Sequence, residues 1–294
     1  MRVCVVGCGA IGAYFAAELA AEAEVWAYDV SEEHVDAINR AGLRVDGQVV
    51  HIAARADARE IPPCELGIVA TKATLTEPAI AAAAHVFADG AVCSVQNGSG
   101  NVEAIARHVP RVIRGVTLAA GHVAAPGVVE MDAPGMTWIG PFEPQPARPD
   151  EIAALAGATG AVALDDARGA QWTKLLFNAA TNPIAALTGL THGELCGVPA
   201  LRTLATALVG EGRRVAETLG ITLDRDPDAL ISEEAERNYA HKPSMLQDAL
   251  AHRPTEIGAL NGGIVQAGAD AGVPTPLHAA ITALVAGLEA GWAR

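Results

Sequence analysis

Basic residues are scarce in this chain of 294 residues: 20 Lys and Arg stand against 34 Asp and Glu, a formal net charge of −14. A field of that sign repels a phosphate backbone, and no Lys/Arg-rich run interrupts it, so a nucleic-acid partner is excluded. Cysteines are few, odd in number and scattered, at Cys4, Cys8, Cys64, Cys93 and Cys196. That usage excludes a disulfide framework and a clustered zinc site. The nine histidines show neither HxH nor HExxH spacing, so no metal site is expected. No stretch reaches ~18 apolar residues without charge or proline, so no spanning helix and no membrane partner are expected. The apolar run at 3–19 lacks the basic flank and small-residue cleavage site of a secretion signal, is interrupted by Glu18, and carries glycines at fixed offsets. A reduced, cytoplasmic protein is the expectation.

What is present is a large apolar fraction, 51% of the residues. It suffices for a substantial core, and the length suits two domains. Short Val/Ile-rich runs at 3–6, 24–28, 66–71, 91–95 and 112–118 predict strands. Segments of helical composition at 11–21, 32–41, 78–87 and 102–108 lie between them. That alternation predicts an α/β Rossmann-type domain with a mostly parallel sheet. Turns at Pro126-Gly127 and Pro134-Gly135 predict one or two antiparallel hairpins finishing the sheet, and a last helix and strand are expected near 151–155 and 161–164. From Arg168 the texture becomes Ala/Leu-rich, with helices predicted over 168–188, 199–219, 226–239, 254–271 and 277–292. The division expected is a dinucleotide-binding domain over 1–167 and an all-α domain over 168–294.

The first strand runs into Gly7-Cys8-Gly9-Ala10-Ile11-Gly12 and then an Ala-rich helix. In that GxGxxG pattern the first glycine permits a tight turn, the second lets backbone approach a pyrophosphate, and the third allows close helix–strand packing. The pyrophosphate would sit on the free N–H groups at the helix start. Asp29 ends the second strand, 20 residues beyond Gly9, where an acid accepts from the adenosine ribose. NAD(H) is therefore the preferred cofactor, with NADP(H) tolerated. Cys8, in the turn, is expected to have a lowered pKa and a reactive thiol. Lys72 and Asn97-Gly98 follow the third and fourth strands, at the ends where ligands of parallel sheets bind. A solvated lysine and a plain turn pair are the alternative readings.

In the helical part, Lys174, Asn178 and Asn182 are spaced i, i+4, i+8 and line one stripe beside Leu175, Leu176 and Phe177. Such a stripe could bind a carboxylate and a carbonyl together, or could be an exposed polar face. Glu256 reads as a residue that either serves the site or complements the dipole of a helix starting there.

These motifs together resemble the ketopantoate reductases (2-dehydropantoate 2-reductases). The resemblance rests on GCGAIGAY at the start, Lys72, QNG at 96–98, KLLFNAATNP at 174–183, HGEL at 192–195 and SMLQD…RPTEIGALNG at 244–262. It implies reduction of 2-dehydropantoate, a small 2-oxo acid, to (R)-pantoate in pantothenate synthesis. Lys174 is implied as the general acid, with Glu256 orienting it and binding the nicotinamide ribose. Asn178, Asn182 and Ser244 would hold the substrate, while Gly7, Cys8, Gly9, Ala10, Ile11, Gly12, Lys72 and Asn97 would hold the cofactor. The substrate would lie in a cleft between the domains. Two positions depart from the family pattern. The second strand ends Tyr28-Asp29-Val30-Ser31-Glu32-Glu33 without the basic residue of NADPH users, and His192 replaces an asparagine. A protonated His192 is expected to hold the substrate carboxylate, with KM rising from pH 6 to 8. The alternatives are an NAD-dependent enzyme for another branched or aromatic 2-oxo acid, like the D-mandelate dehydrogenases, and a silent nucleotide sensor. An apolar face on the last helices is compatible with a homodimer.

Overall fold

A computed structural model describes residues 1–133 and 135–292, so Pro134 of the expected Pro134-Gly135 turn lies outside the described residues. The chain forms two compact units, Met1–Gln96 with Asn101–Ala167, and Asn97–Gly100 with Arg168–Arg294.

The first unit opens β1 (Arg2–Val6), α1 (Ala10–Leu19), β2 (Glu24–Tyr28), α2 (Glu32–Ala41), β3 (Leu43–Val45), β4 (Gln48–Val50) and β5 (Ala53–Arg55). It continues β6 (Leu66–Val69), α3 (Thr76–Ala83), β7 (Ala91–Ser94), α4 (Asn101–Ala106), β8 (Arg111–Thr117), β9 (Ala120–Ala125), β10 (Val128–Ala133) and β11 (Thr137–Pro141). It closes with α5 (Pro149–Thr159) and β12 (Val162–Ala163). Eight strands form one sheet in the order β12-β11-β8-β7-β6-β1-β2-β5, parallel except where β11 runs against β8. β1 lies inside the sheet and is apolar and buried from Val3 to Val6, and its alternation divides two cores. Val3 and Val5 pack with Phe15, Leu19 and Ile68, and Cys4 and Val6 with Ile80, Phe87 and Val92.

The region after β8 corrects the expected hairpins. Of the three strands β9, β10 and β11, only β11 joins the main sheet; β9 and β10 pair with each other and, through β10, with β3 in a second sheet of order β4-β3-β10-β9. Strands β3, β4 and β5 carry no strong hydrophobic run; β4 pairs with β3 across the short Asp46-Gly47 turn, while β3 and β5 also take partners distant in sequence, β10 and β2, as with Trp26 opposite Ala53.

The second unit is helical: α6 (Arg168–Thr188), α7 (His192–Gly197), α8 (Pro199–Thr218), α9 (Pro227–Arg237), α10 (Ser244–Leu250), α11 (Asn261–Ala271) and α12 (Pro276–Trp292). Helix α6 packs against α8, α9, α10 and α12. The helix expected over 254–271 begins only at Asn261. Residues before it form a turn in which the Glu256 carbonyl accepts from the N–H groups of Ala259 and Leu260, at 3.0 Å each. Pro254 therefore does not open a helix, and Glu256 is not a first-turn helix residue.

Candidate active site

The turn leaving β1 shows why two of its glycines are required by the fold. Gly7 has φ +86°, and a Cβ there would lie 2.6–2.8 Å from Thr71. A Cβ on Gly12 would collide with the Gly7 carbonyl. At Gly9, by contrast, a Cβ would meet no protein atom within 4 Å. The protein itself does not demand a glycine at that position, so the open space suits a ligand that approaches the backbone. Helix α1 begins directly after it with no side-chain cap and no acidic residue in its first turn. Its leading N–H groups, at Ala10, Ile11 and Gly12, and the positive dipole end are thus available to an anion.

Asp29 reaches this turn. One carboxylate oxygen accepts from the Cys8 N–H at 2.8 Å and the other from the Ser31 N–H at 3.0 Å. Each oxygen keeps a lone pair for a hydroxyl. Lys72 is exposed, just past β6. Its loop is held by Gln96, whose amide donates to the Thr71 carbonyl at 2.9 Å and to Thr76 Oγ1 at 2.7 Å.

Cys8 corrects an expectation. The thiol is fully buried, and burial, then the Asp29 charge, push its pKa up to about 12. The helix start cannot activate a thiol that has no access to water. Alkylation of the native protein should therefore modify Cys196, the one partly exposed cysteine, and spare Cys8 whether or not NADH is present. Peptide mapping after brief iodoacetamide treatment checks this; early labelling of Cys8 would contradict it.

In the second unit, Lys174 projects from the first half of α6, and its Nζ donates to Asn97 Oδ1 at 2.7 Å. Asn97 is placed by its own loop: Gln171, one turn back on α6, donates to the Gly98 carbonyl at 3.2 Å, and the Ser99 N–H donates to the Ala259 carbonyl at 2.9 Å. Gly98 has φ +86°, and a Cβ there would press on Ala259, so this approach needs glycine. The Lys174 ammonium is enclosed by protein although part of the side chain remains accessible. Enclosure lowers its pKa to about 8, partly opposed by the nearby Glu256 charge. Glu256 is itself buried, on the turn before α11. A lysine near 8 can donate a proton at neutral pH and leave a neutral amine.

Asn178 and Asn182 continue the stripe and are buried, at 8% and 5% exposed. Asn182 accepts from Thr181 Oγ1 at 3.3 Å, while the Asn178 side chain makes no hydrogen bond among the described residues, so its amide is available to a ligand. Ser244 is the exposed first residue of α10.

The sequence matches the family described as ketopantoate reductase PanE/ApbA over residues 3–144, and its C-terminal domain over residues 166–289. A 2-dehydropantoate 2-reductase of Pyrococcus abyssi is 30% identical, covering 99% of this chain and 98% of its own. One from Mesorhizobium japonicum is 32% identical, covering 97% of each. The crystal structure of a PanE/ApbA family ketopantoate reductase from Ralstonia eutropha superposes with a TM-score of 0.90 at 30% identity over both full chains. The chain belongs to the ketopantoate reductase family. It is an oxidoreductase of that family, whose members act on a small 2-oxo acid. D-mandelate dehydrogenase in a ternary structure with NADH and anilino(oxo)acetate is also similar, with TM-score 0.88 at 25% identity, covering 100% of both chains. Family and neighbours support a nicotinamide cofactor. Among the described residues no helix is long and apolar enough to cross a membrane.

Within this ketopantoate reductase fold, His192 corrects a second expectation. Its ring is buried, 3% exposed, and stacks on Phe177 with centroids 5.3 Å apart. Burial and then the neighbouring His241 lower its pKa, against the weaker pull of Glu234 and the Ile231 backbone. That lowering disfavours a cation for the substrate, and among the described residues the buried Nε2 has no hydrogen-bond partner. KM for the 2-oxo acid should show no pH 6–8 transition owed to this residue. Parallel KM profiles for the parent and His192→Asn are expected; a step that the substitution abolishes would restore the cationic role.

Two contributors, Asn261 and Gln96, stand in the motifs without a role that their spacing could assign. Pro183 cannot donate to the Ala179 carbonyl four residues earlier, and Asn261 Nδ2 fills that gap at 3.0 Å. The stripe-bearing helix thus stays continuous through its proline. Gln96 is the other, acting on the Lys72 loop as described above. The scarcity of lysine was a usable signal: of the chain's three lysines, Lys72 and Lys174 fall in the motifs and Lys242 lies two residues before the one that starts at Ser244.

Proposed function

We propose that the protein reduces 2-dehydropantoate to (R)-pantoate with a reduced nicotinamide dinucleotide, NADH in preference to NADPH, and with Lys174 as the general acid. The observation that carries this reading is the enclosed ammonium with a pKa near 8, bonded to Asn97 and close to Glu256. The first unit serves as the cofactor domain. Gly7, Cys8, Gly9, Ala10, Ile11 and Gly12 hold the diphosphate through backbone N–H groups, and Asp29 accepts from the adenosine ribose. A bound dinucleotide supplies the hydride. The second unit serves as the substrate domain. Lys174 polarises the ketone as a cation and gives its proton to the oxygen, so no free alkoxide has to form. Glu256 raises the ammonium's proton affinity and takes the nicotinamide ribose. Asn97 takes part in binding the cofactor. Asn178, with its uncommitted buried amide, Asn182 and Ser244 bind the carboxylate and hydroxyl ends of the acid. All five cysteines are free, which suits a reducing cytoplasm.

The second reading, a D-2-hydroxy acid dehydrogenase for a different branched or aromatic substrate, is favoured by His192. A flat ring stacked on Phe177, where other family members place an amide, makes that part of the unit more aromatic. Stopped-time assays with NADH and a panel of 2-oxo acids decide between the two. A kcat/KM for 2-dehydropantoate at least tenfold above that for benzoylformate supports the first reading, and the reverse order supports the second. No turnover of any 2-oxo acid would remove both.

A further inference from the structure

The glycine turn is clamped from beneath by a histidine that the reaction chemistry does not use. His34 lies in the first turn of α2, where its N–H donates to the capping Ser31 hydroxyl at 3.3 Å, and it is 6% exposed. Its Nε2 is 2.9 Å from the Cys8 carbonyl oxygen, and its Nδ1 is 3.0 Å from the Gly127 nitrogen. A carbonyl can only accept and a backbone N–H can only donate. The two contacts therefore select one neutral tautomer, in which Nε2–H donates to Cys8 and the Nδ1 lone pair accepts from Gly127.

The Cys8 carbonyl belongs to the peptide whose N–H is that of Gly9. In a trans peptide these two groups point in opposite directions. Drawing the carbonyl toward His34 thus aims the Gly9 N–H the other way. The preceding peptide is fixed as well, since the Cys8 N–H donates to Asp29 at 2.8 Å. Gly127, in the turn between β9 and β10, buttresses the ring from its far side. It has φ +74°, and a Cβ there would come within 3.1 Å of Ala37 on α2, so the hairpin turn seats closely on that helix. Three segments distant in sequence, the glycine turn, α2 and the turn between β9 and β10, are therefore joined through the His34 ring.

We propose that His34 is a positioning residue for the dinucleotide diphosphate, acting by holding the Cys8–Gly9 peptide in the orientation that presents the Gly9 N–H. This rests on the reading of the glycine turn as the cofactor site.

The two ring nitrogens can be separated by substitution. In His34→Gln the side-chain amide sits where Nε2 does and can still donate to Cys8. In His34→Asn the amide oxygen replaces Nδ1 and can still accept from Gly127, but the side chain is too short to reach Cys8. NADH binding should be measured by titration of cofactor fluorescence, without substrate, beside the thermal midpoint of each variant. His34→Asn should weaken NADH binding roughly fivefold to tenfold, the usual effect of losing one hydrogen bond at a preorganised site, and His34→Gln should bind within about twofold of the parent. A His34→Asn variant that binds like the parent, or equal losses in both variants, would overturn the role of His34 alone. Failure of the parent chain to bind either NADH or NADPH would overturn the cofactor reading and this role with it.

Discussion

Lys174→Ala should lower kcat for 2-oxo acid reduction by ~10²–10⁴, the usual contribution of a positioned general acid, while NADH affinity changes little. The loss has two sources. The proton donor disappears, and so does the cation that stabilises negative charge developing on the carbonyl oxygen. Lys174→Arg should not rescue activity, because a guanidinium stays protonated at any working pH and its planar fork does not replace a compact ammonium on Asn97. The ionisation adds a pH signature. Burial brings the ammonium down to about 8, so it is protonated below that value and neutral above it. Reduction should fall as pH rises through about 8, and the reverse oxidation, which needs the neutral amine as base, should rise over the same interval. Initial rates in both directions from pH 6 to 10 test this. Near-normal turnover of Lys174→Ala, or profiles that move together, would refute the assignment.

NADH should be preferred to NADPH by a factor on the order of 10² in kcat/KM, equivalent to roughly 2–3 kcal/mol. Asp29 holds its carboxylate at the end of β2 through two backbone N–H groups, and exposed Glu32 and Glu33 open the helix that follows. A 2′-phosphate would meet that negative charge in place of the ribose hydroxyl that Asp29 can accept from. The structure adds an arginine that the local sequence does not reveal: Arg55, in register with Tyr28 on the neighbouring strand β5. Its guanidinium is engaged elsewhere, 5.1 Å over the Trp26 ring and ion-paired with Glu60 at 3.3 Å. That half-exposed pair is weak enough to yield, which is why a preference is expected and not exclusion of NADPH. Comparing kcat/KM for the two cofactors with one accepted 2-oxo acid checks this. A higher value with NADPH would mean that Arg55 turns to the phosphate, and Arg55→Ala would then reverse the order.

Much of the main sheet was legible because its strands advertise themselves. β1, β2, β6, β7 and β8 are largely apolar runs bounded by turn or helix signals, as strands covered on both faces of a parallel sheet are, with charge mostly at strand ends such as Arg2 and Glu24. Helix α6 was legible from Arg168 to Thr188 despite its internal proline. The small strands β3, β4 and β5 were not, since three-residue strands carry no period of their own and exist only through their partners. Which sheet β9 and β10 join was likewise set by a partner distant in sequence, β3, and not by their own pattern. The glycine turn and the Lys174 stripe could be named from spacing alone; the state of their side chains could not. Cys8 and His192 show the difference, for both were assigned a charge or reactivity that burial removes.

By itself the sequence determined which residue types stand at the turn and along α6, because local backbone geometry and helical periodicity act over only a few residues. Only the tertiary structure decided which of them meet. Asn97 reaches Lys174 across 77 positions, His34 joins Cys8 to Gly127, and Asn261 completes α6 where Pro183 leaves a carbonyl unmet. Packing also decided what is charged, since the free energy of ionisation depends on how much water each group retains.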